Sequence, residues 1–186
     1  MAAPEIVPYG PISLMPVSSS LHYGLTVFEG MKAFRMKNGK ISVFRIQKHY
    51  DRLCKSLERM CMPHIPFAYF SEGIRQLIET DASWVPSQNE ASLYIRPFVF
   101  ASNEDRFGAH ISEEYRFVIF TGPVAALYHK PIRVKVEDQF MRASKGGTGF
   151  AKCGGNYGGA FYPAHLARQQ GFDQVLWTDG SEALNL

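Results

Sequence analysis

No apolar run in this 186-residue chain approaches the roughly 18 to 20 residues that cross a bilayer, so no membrane partner is expected. Cysteine is scarce. Cys54, Cys61 and Cys153 are an odd number without metal-ligand or redox spacing, which suits a reducing compartment and excludes a disulfide framework. The cytoplasm is the expected location, with the mitochondrion left open. The six histidines form no HxxxH or Cys/His cluster, so no metal site is expected. Charge of one sign is also lacking: the net charge is +3 and no segment concentrates Lys and Arg, which argues against a nucleic-acid partner. Residues 1–10 have neither the basic start nor the apolar stretch of a secretory signal. No repeat or low-complexity tract is present, and 46% hydrophobic with 20% charged residues is the balance of an ordinary globular protein.

What is there begins with four prolines and a serine run in residues 1–20, which read as an extended lead-in. Residues 32–36 and 40–44 alternate apolar with polar, and Asn38-Gly39 between them suits a type I′ hairpin turn. Tyr50, Leu53, Cys54, Leu57, Met60 and Cys61 then recur at helical spacing, which makes the two cysteines core filler; Pro63 is expected to end that helix. A second helix is expected over about 70–80. Strands follow at 92–100, 115–121 and 132–136, rich in β-branched and aromatic residues. This block order is α+β. Past Phe140 the texture changes, with seven glycines in residues 146–159, a helical stretch over about 156–170 stopped at Gly171, and a strand over 174–178. The shift suggests a domain boundary near 122–135.

The glycine-rich stretch GGTGFAKCGGNYGG places Lys152 between glycine pairs, just before a helix N-terminus. Glycine backbone lets a flat ligand approach closely, and helix N-termini favour anions. No GK[ST] closes a phosphate loop, and no clear strand feeds a GxGxxG fingerprint. A lysine so placed can form a Schiff base if its pocket tunes the amine. By composition alone, a connector carrying a solvated lysine is the simpler reading.

Four motifs in register change that balance. LHYGLTVFEGMKAFR (21–35), FRIQKHYDRLCKSLERMCMP (44–63), SLYIRPFVFASNE (92–104) and the segment 142–180 resemble, in order and spacing, the branched-chain amino-acid aminotransferases. The KCGGNY element separates that group from related D-amino-acid aminotransferases and aminodeoxychorismate lyases. The resemblance implies the two-domain α+β arrangement of fold-type IV enzymes dependent on pyridoxal 5′-phosphate (PLP). A small N-terminal domain would cover 1–125, a linker 126–135, and the start of the larger domain 136–186. It implies a homodimer that moves the amino group of leucine, isoleucine or valine to 2-oxoglutarate, giving glutamate.

Carried over by position, Lys152 resembles the lysine that bears PLP, and Tyr157 the tyrosine that hydrogen-bonds the cofactor's phenolic oxygen. Arg96 resembles the phosphate-binding arginine, a role that its planar fork suits. Arg142, ten residues before the lysine, matches a second arginine near the cofactor. Tyr23 would reach the substrate pocket across the subunit interface, Phe28 would wall that pocket, and Tyr128 would lie near the substrate carboxylate. Glu29, Lys32 and Lys145 read as surface charge or local hydrogen bonding. The family's pattern continues past this chain's last motif to a glutamate that pairs with the pyridine nitrogen, for which Glu182 stands too early. The chain is therefore expected to be cut at both ends and inactive alone; the rival readings are an inactive or partner-binding fragment and a fold-type IV enzyme of other specificity.

Overall fold

The computed structural model describes residues 3–88, 90–102, 106–125 and 127–179. Its central strand pairs on both edges. We call it β4 (Ser92–Ala101), after β1 (Thr26–Phe28), β2 (Met31–Arg35) and β3 (Ile41–Val43). Leu93, Ile95, Pro97 and Val99 are buried on one face of β4, while Tyr94, Arg96 and Phe98 are half-buried on the other. Strand β5 (Tyr115–Val124) pairs antiparallel along all of β4, from Ser92 opposite Val124 to Ala101 opposite Tyr115.

The other edge of β4 carries β1 and β2 in one continuous register, with Phe28 opposite Phe98 and Met31 opposite Ile95. The interruption at Glu29-Gly30 has a simple cause. Glu29 donates its N–H to the Pro97 carbonyl at 2.8 Å, and proline has no N–H with which to return the bond. Strand β3 extends the sheet from β2.

Two helices cover the buried face. After a single turn, α1 (Ser19–His22), come α2 (Ile46–Arg59) and α3 (Phe67–Thr80). Leu53 and Leu57 of α2 and Phe70, Ile74 and Ile78 of α3 pack with Val27, Ala33, Leu93, Ile95 and Val99 in one core. Cutting any of the larger of these to alanine costs about 2–5 kcal/mol. A second, two-stranded parallel sheet joins β6 (Val134–Glu137) to β7 (Gln174–Trp177), with α4 (Gly155–Gln169) as the crossover. The element mix is α+β, as expected.

Four local expectations need correction. The hairpin turn is not type I′, because Gly39 has a positive φ (80°) and Asn38 does not. Gly39 N–H bonds to Met36 and Met36 N–H to Lys40, a type I turn closed by a left-handed glycine. Helix α2 does not run to Pro63. It stops at Met60, where Cys61 turns left-handed (φ 54°) and its N–H bonds to Glu58, while Met62 N–H bonds to Leu57. That is a Schellman motif with cysteine in the place usually held by glycine. The cysteines are not core filler either: Cys61 is exposed and Cys54 half-buried. The lead-in is not wholly extended, since it ends in α1, where the Ser18 side chain accepts from Ser20 N–H.

A left-handed residue with a Cβ is strained by about 1–2 kcal/mol. Cys61→Gly is therefore expected to raise the thermal midpoint by a few degrees, and a lowered midpoint in a melting experiment would contradict this account of the helix stop.

Candidate active site

Lys152 lies where the glycine-rich loop meets both the sheet and α2. Its peptide is held from two sides: Lys152 N–H donates to Ser56 Oγ of α2 at 2.9 Å, and its carbonyl accepts from Phe28 N–H of β1 at 3.0 Å. Gly154 N–H then bonds to the Thr26 carbonyl at 3.0 Å, so residues 152–154 run along the outer edge of β1. A Cβ on Gly154 would stand 2.5 Å from Thr26 Cγ2, so only glycine allows this approach.

The side chains gather accordingly. Lys152 Nζ donates to Tyr157 Oη at 3.0 Å and stands over the Phe28 ring, 4.4 Å from its centroid. The Phe28 and Tyr157 rings are 5.2 Å apart. Arg96 covers the same Phe28 ring at 4.6 Å and donates Nη2 to Tyr94 Oη at 2.9 Å. Strand geometry explains the grouping: Phe28, Tyr94 and Arg96 share the sheet face turned away from the core helices. Gly30 leaves the room for it, since a Cβ there would meet Tyr94 Oη at 2.0 Å. Lys152 has an aromatic face and a hydroxyl for neighbours and, among the described residues, no carboxylate partner.

Of the residues singled out in the sequence, Lys152, Tyr157, Phe28 and Arg96 form one cluster. The other three stand elsewhere, and no hydrogen bond or ring contact among the described residues joins them to Lys152. Arg142 donates Nη2 to the Gly149 carbonyl at 2.9 Å and so straps the glycine loop, as Arg59 does at Gly146. Tyr23 is exposed beside Gly24, whose backbone packs on Gly155. Tyr128 accepts a hydrogen bond from Gln174 at 2.8 Å. Glu182 lies outside the described residues.

Sequence reasoning passed over four participants. Tyr94 shares a strand face with Arg96 two residues away, and alternation alone would have found it. Of the two readings for Glu29, hydrogen bonding holds and surface charge does not: it is fully buried, with Arg52 on both carboxylate oxygens and His49 on one. Arg52 sits one helical turn before Ser56, with Tyr157 and Tyr94 in electrostatic reach. The Glu29 hydrogen bonds raise its guanidinium above the usual arginine value, outweighing the opposing loss of solvent.

Asn156 is the fourth. Its Nδ2 donates to the Thr148 and Ala151 carbonyls at 2.8 and 2.7 Å, and its Oδ1 accepts from Thr148 Oγ1 at 2.6 Å. One side chain thus binds the loop before Lys152 to the first turn of α4, which carries Tyr157. Nothing in the spacing of the motif signals this.

The donor set fits PLP. The buried Nε of Arg96 has no partner, as expected where an anion completes the site. Lysine and tyrosine stand in hydrogen-bond contact, as an aldehyde carbon and a neighbouring phenolic oxygen require. The Phe28 ring supplies a flat apolar wall. Asn156→Ala should strip two loop carbonyls of their donors at a cost of about 1–3 kcal/mol. Faster hydrogen exchange at Gly147 and Ala151 with little change in the core strands is the expected result, and unchanged exchange there would refute the clamp.

Comparison with known proteins agrees with the geometry. Residues 26–184 match the family model described as Amino-transferase class IV. The branched-chain-amino-acid transaminase 1 of Bacillus subtilis (strain 168) is 44% identical over 183 residues, 96% of this chain and 51% of that protein. The branched-chain-amino-acid aminotransferase of Mycolicibacterium smegmatis is 43% identical over 182 residues, covering 96% and 49%. The chain spans about half the length of the curated relatives it matches. Among solved structures, a T.th. branched-chain amino acid aminotransferase with pyridoxamine 5′-phosphate has a TM-score of 0.75 at 26% identity, covering 93% of this chain and 56% of that one. The same enzyme complexed with N-(5′-phosphopyridoxyl)-L-glutamate gives 0.75 at 25%, covering 93% and 55%. With its α+β fold of type IV and a family match over most of its length, the chain belongs to the class IV aminotransferases.

Proposed function

We propose that the chain serves PLP-dependent transfer of the amino group of leucine, isoleucine or valine to 2-oxoglutarate, with Lys152 as the residue that bears the cofactor. The observation that carries this reading is the Lys152 amine, held against Tyr157 Oη and the Phe28 ring by a peptide bonded on both sides. The relatives are named for branched-chain amino acids, and one solved neighbour holds a phosphopyridoxyl derivative of glutamate.

When bound, PLP supplies the electron sink for the substrate's α-carbon. Lys152 Nζ would anchor it and would hold or move a proton at that carbon. Tyr157 Oη holds the phenolic oxygen beside Lys152. Phe28 walls the pocket and keeps water from one side of the ring. The reaction has two kinds of anion to hold, the cofactor's phosphate and the substrate's carboxylate, and two guanidinium groups are near: Arg96 on the Phe28 ring, and Arg52 in electrostatic reach of Tyr157 and Tyr94. Arg96 takes an anion on its unpartnered Nε; the family resemblance makes that anion the phosphate. Arg52, half-exposed on α2, offers a second arm suited to a hydrated dianion.

Arg142 acts on the cofactor site through the glycine loop that it straps. Tyr23, exposed at the end of α1, fits a role across the interface of a homodimer, and Tyr128 one nearer the substrate carboxylate. We divide the chain into a small domain over 1–125, a linker at 126–135 and part of the larger domain from 136, and we place it in the cytoplasm. No helix among the described residues is long and apolar enough to cross a membrane.

The test is amino transfer from leucine to 2-oxoglutarate by the gene product at its native length, with and without PLP. Lys152→Ala is expected to lower the rate by roughly 10²-fold or more, with Lys145→Ala near wild type. Comparable turnover from the Lys152 variant would remove the assignment.

A further inference from the structure

We propose that Glu137 is a positioning residue for the Lys152 amine: its buried carboxylate gathers residues 138–140 into a tight reversal that sets the outer wall of the glycine loop. The proposal rests on the lysine assignment above and adds to it a residue with no contact to Lys152.

Glu137 ends β6 and is fully buried, yet the site described above makes no use of it. Alternation puts it with Lys135 on the covered face of the strand and leaves Val134 and Val136 open on the other. Both carboxylate oxygens are met. Lys135 Nζ donates to Oε2 at 3.0 Å, and the backbone N–H groups of Gln139 and Phe140 donate to Oε1 at 3.1 and 3.3 Å. The Glu137 carbonyl accepts from Thr178 Oγ1 at 2.8 Å, so the same residue is tied to the chain after β7. A side chain that takes the N–H groups two and three residues onward turns the backbone sharply.

The turn has consequences at each step toward the lysine. Phe140 meets Tyr162 of α4 edge-on, with ring centroids 5.7 Å apart. Arg142 Nη2 bonds to the Gly149 carbonyl at 2.9 Å, and a Cβ on Gly149 would stand 2.4 Å from that of Ala143. The Ser144 carbonyl accepts from Gly147 N–H at 3.1 Å. Residues 140–144 are therefore the wall on which the glycine loop lies, and the loop ends at Lys152. Apolar residues of similar volume would fill the space around Glu137 at lower cost. None of them could accept two backbone N–H groups.

The test uses the full chain with PLP and borohydride. A lysine amine condenses with the aldehyde, water leaves, borohydride delivers hydride to the carbon, and a proton from water goes to nitrogen. Mass spectrometry then gives the ratio of adduct at Lys152 to adduct at Lys40, an exposed lysine on the hairpin. Each variant is measured below its own melting transition, so a merely structural loss leaves the ratio unmoved. Wild type is expected to label Lys152 ahead of Lys40. Glu137→Ala should cut the ratio by about tenfold, the size of one lost acceptor at a buried donor. Glu137→Gln keeps an oxygen for the same two N–H groups and should restore most of it. Phe140→Ala removes a half-buried ring one step further along and should cut the ratio by about threefold, the worth of an aromatic pair.

An unchanged ratio in folded Glu137→Ala or in Phe140→Ala overturns the proposal. So does a loss in Glu137→Gln as large as that in Glu137→Ala, which would assign the effect to charge. Wild type in which Lys152 has no advantage over Lys40 overturns it while leaving Lys152 able to carry the cofactor. No adduct at Lys152 in wild type removes the lysine assignment, and the proposal with it.

Discussion

Everything at the site depends on how the Lys152 peptide is held. Its N–H is satisfied by a side chain of α2 and its carbonyl by the edge of β1, so the lysine is bolted to the two elements that bury the core. Glycine-rich backbone has little order of its own and loses more entropy on folding than any other. Here external bonds supply the order: Ser56 and Phe28 at the lysine, Asn156 inside the loop, and Arg142 and Arg59 at its glycine carbonyls. A reactive amine can then stand at a fixed distance from a tyrosine hydroxyl without a rigid loop sequence to hold it.

A second constraint comes from Pro97. By withholding one N–H from the centre of the sheet it ends β1 at Phe28 and frees Glu29 and Gly30 from regular pairing. Phe28 faces Lys152 on one side of the sheet, Glu29 turns to α2 on the other, and Gly30 leaves space for Tyr94. Three adjacent residues thus serve both faces of the sheet. The result is a cluster of lysine and arginine side chains on one face, while the buried acid on the other, Glu29, is taken up by Arg52 and His49.

Much of this was legible in the amino-acid sequence, for identifiable reasons. The long strands were legible because β4 and β5 pair over their whole length and are apolar on the core side. Lys152, Tyr157, Phe28 and Arg96 were legible through motifs whose register the fold keeps. The failures were local or three-dimensional. A helix stop at cysteine has no compositional signal, so Pro63 looked like the terminator. A carboxylate such as Glu29 reads as surface charge until the helix that neutralises it is in place. Arg52 occupies the polar face of an amphipathic helix, and only the fold brings it to the Glu29 carboxylate. Arg142 and Tyr128 stand apart from that cluster, bonded to Gly149 and Gln174.

The central claim is that a lysine pinned between α2 and β1 is the one that bears the cofactor. A crystal structure of the chain grown with PLP measures this most directly. The account predicts density joined to Lys152 Nζ, a ring lying against Phe28 with its phenolic oxygen at Tyr157, and the bonds from Lys152 to Ser56 and Phe28 intact. Cofactor joined to Lys145 or another lysine, or a Lys152 peptide detached from β1 with cofactor bound, would contradict it.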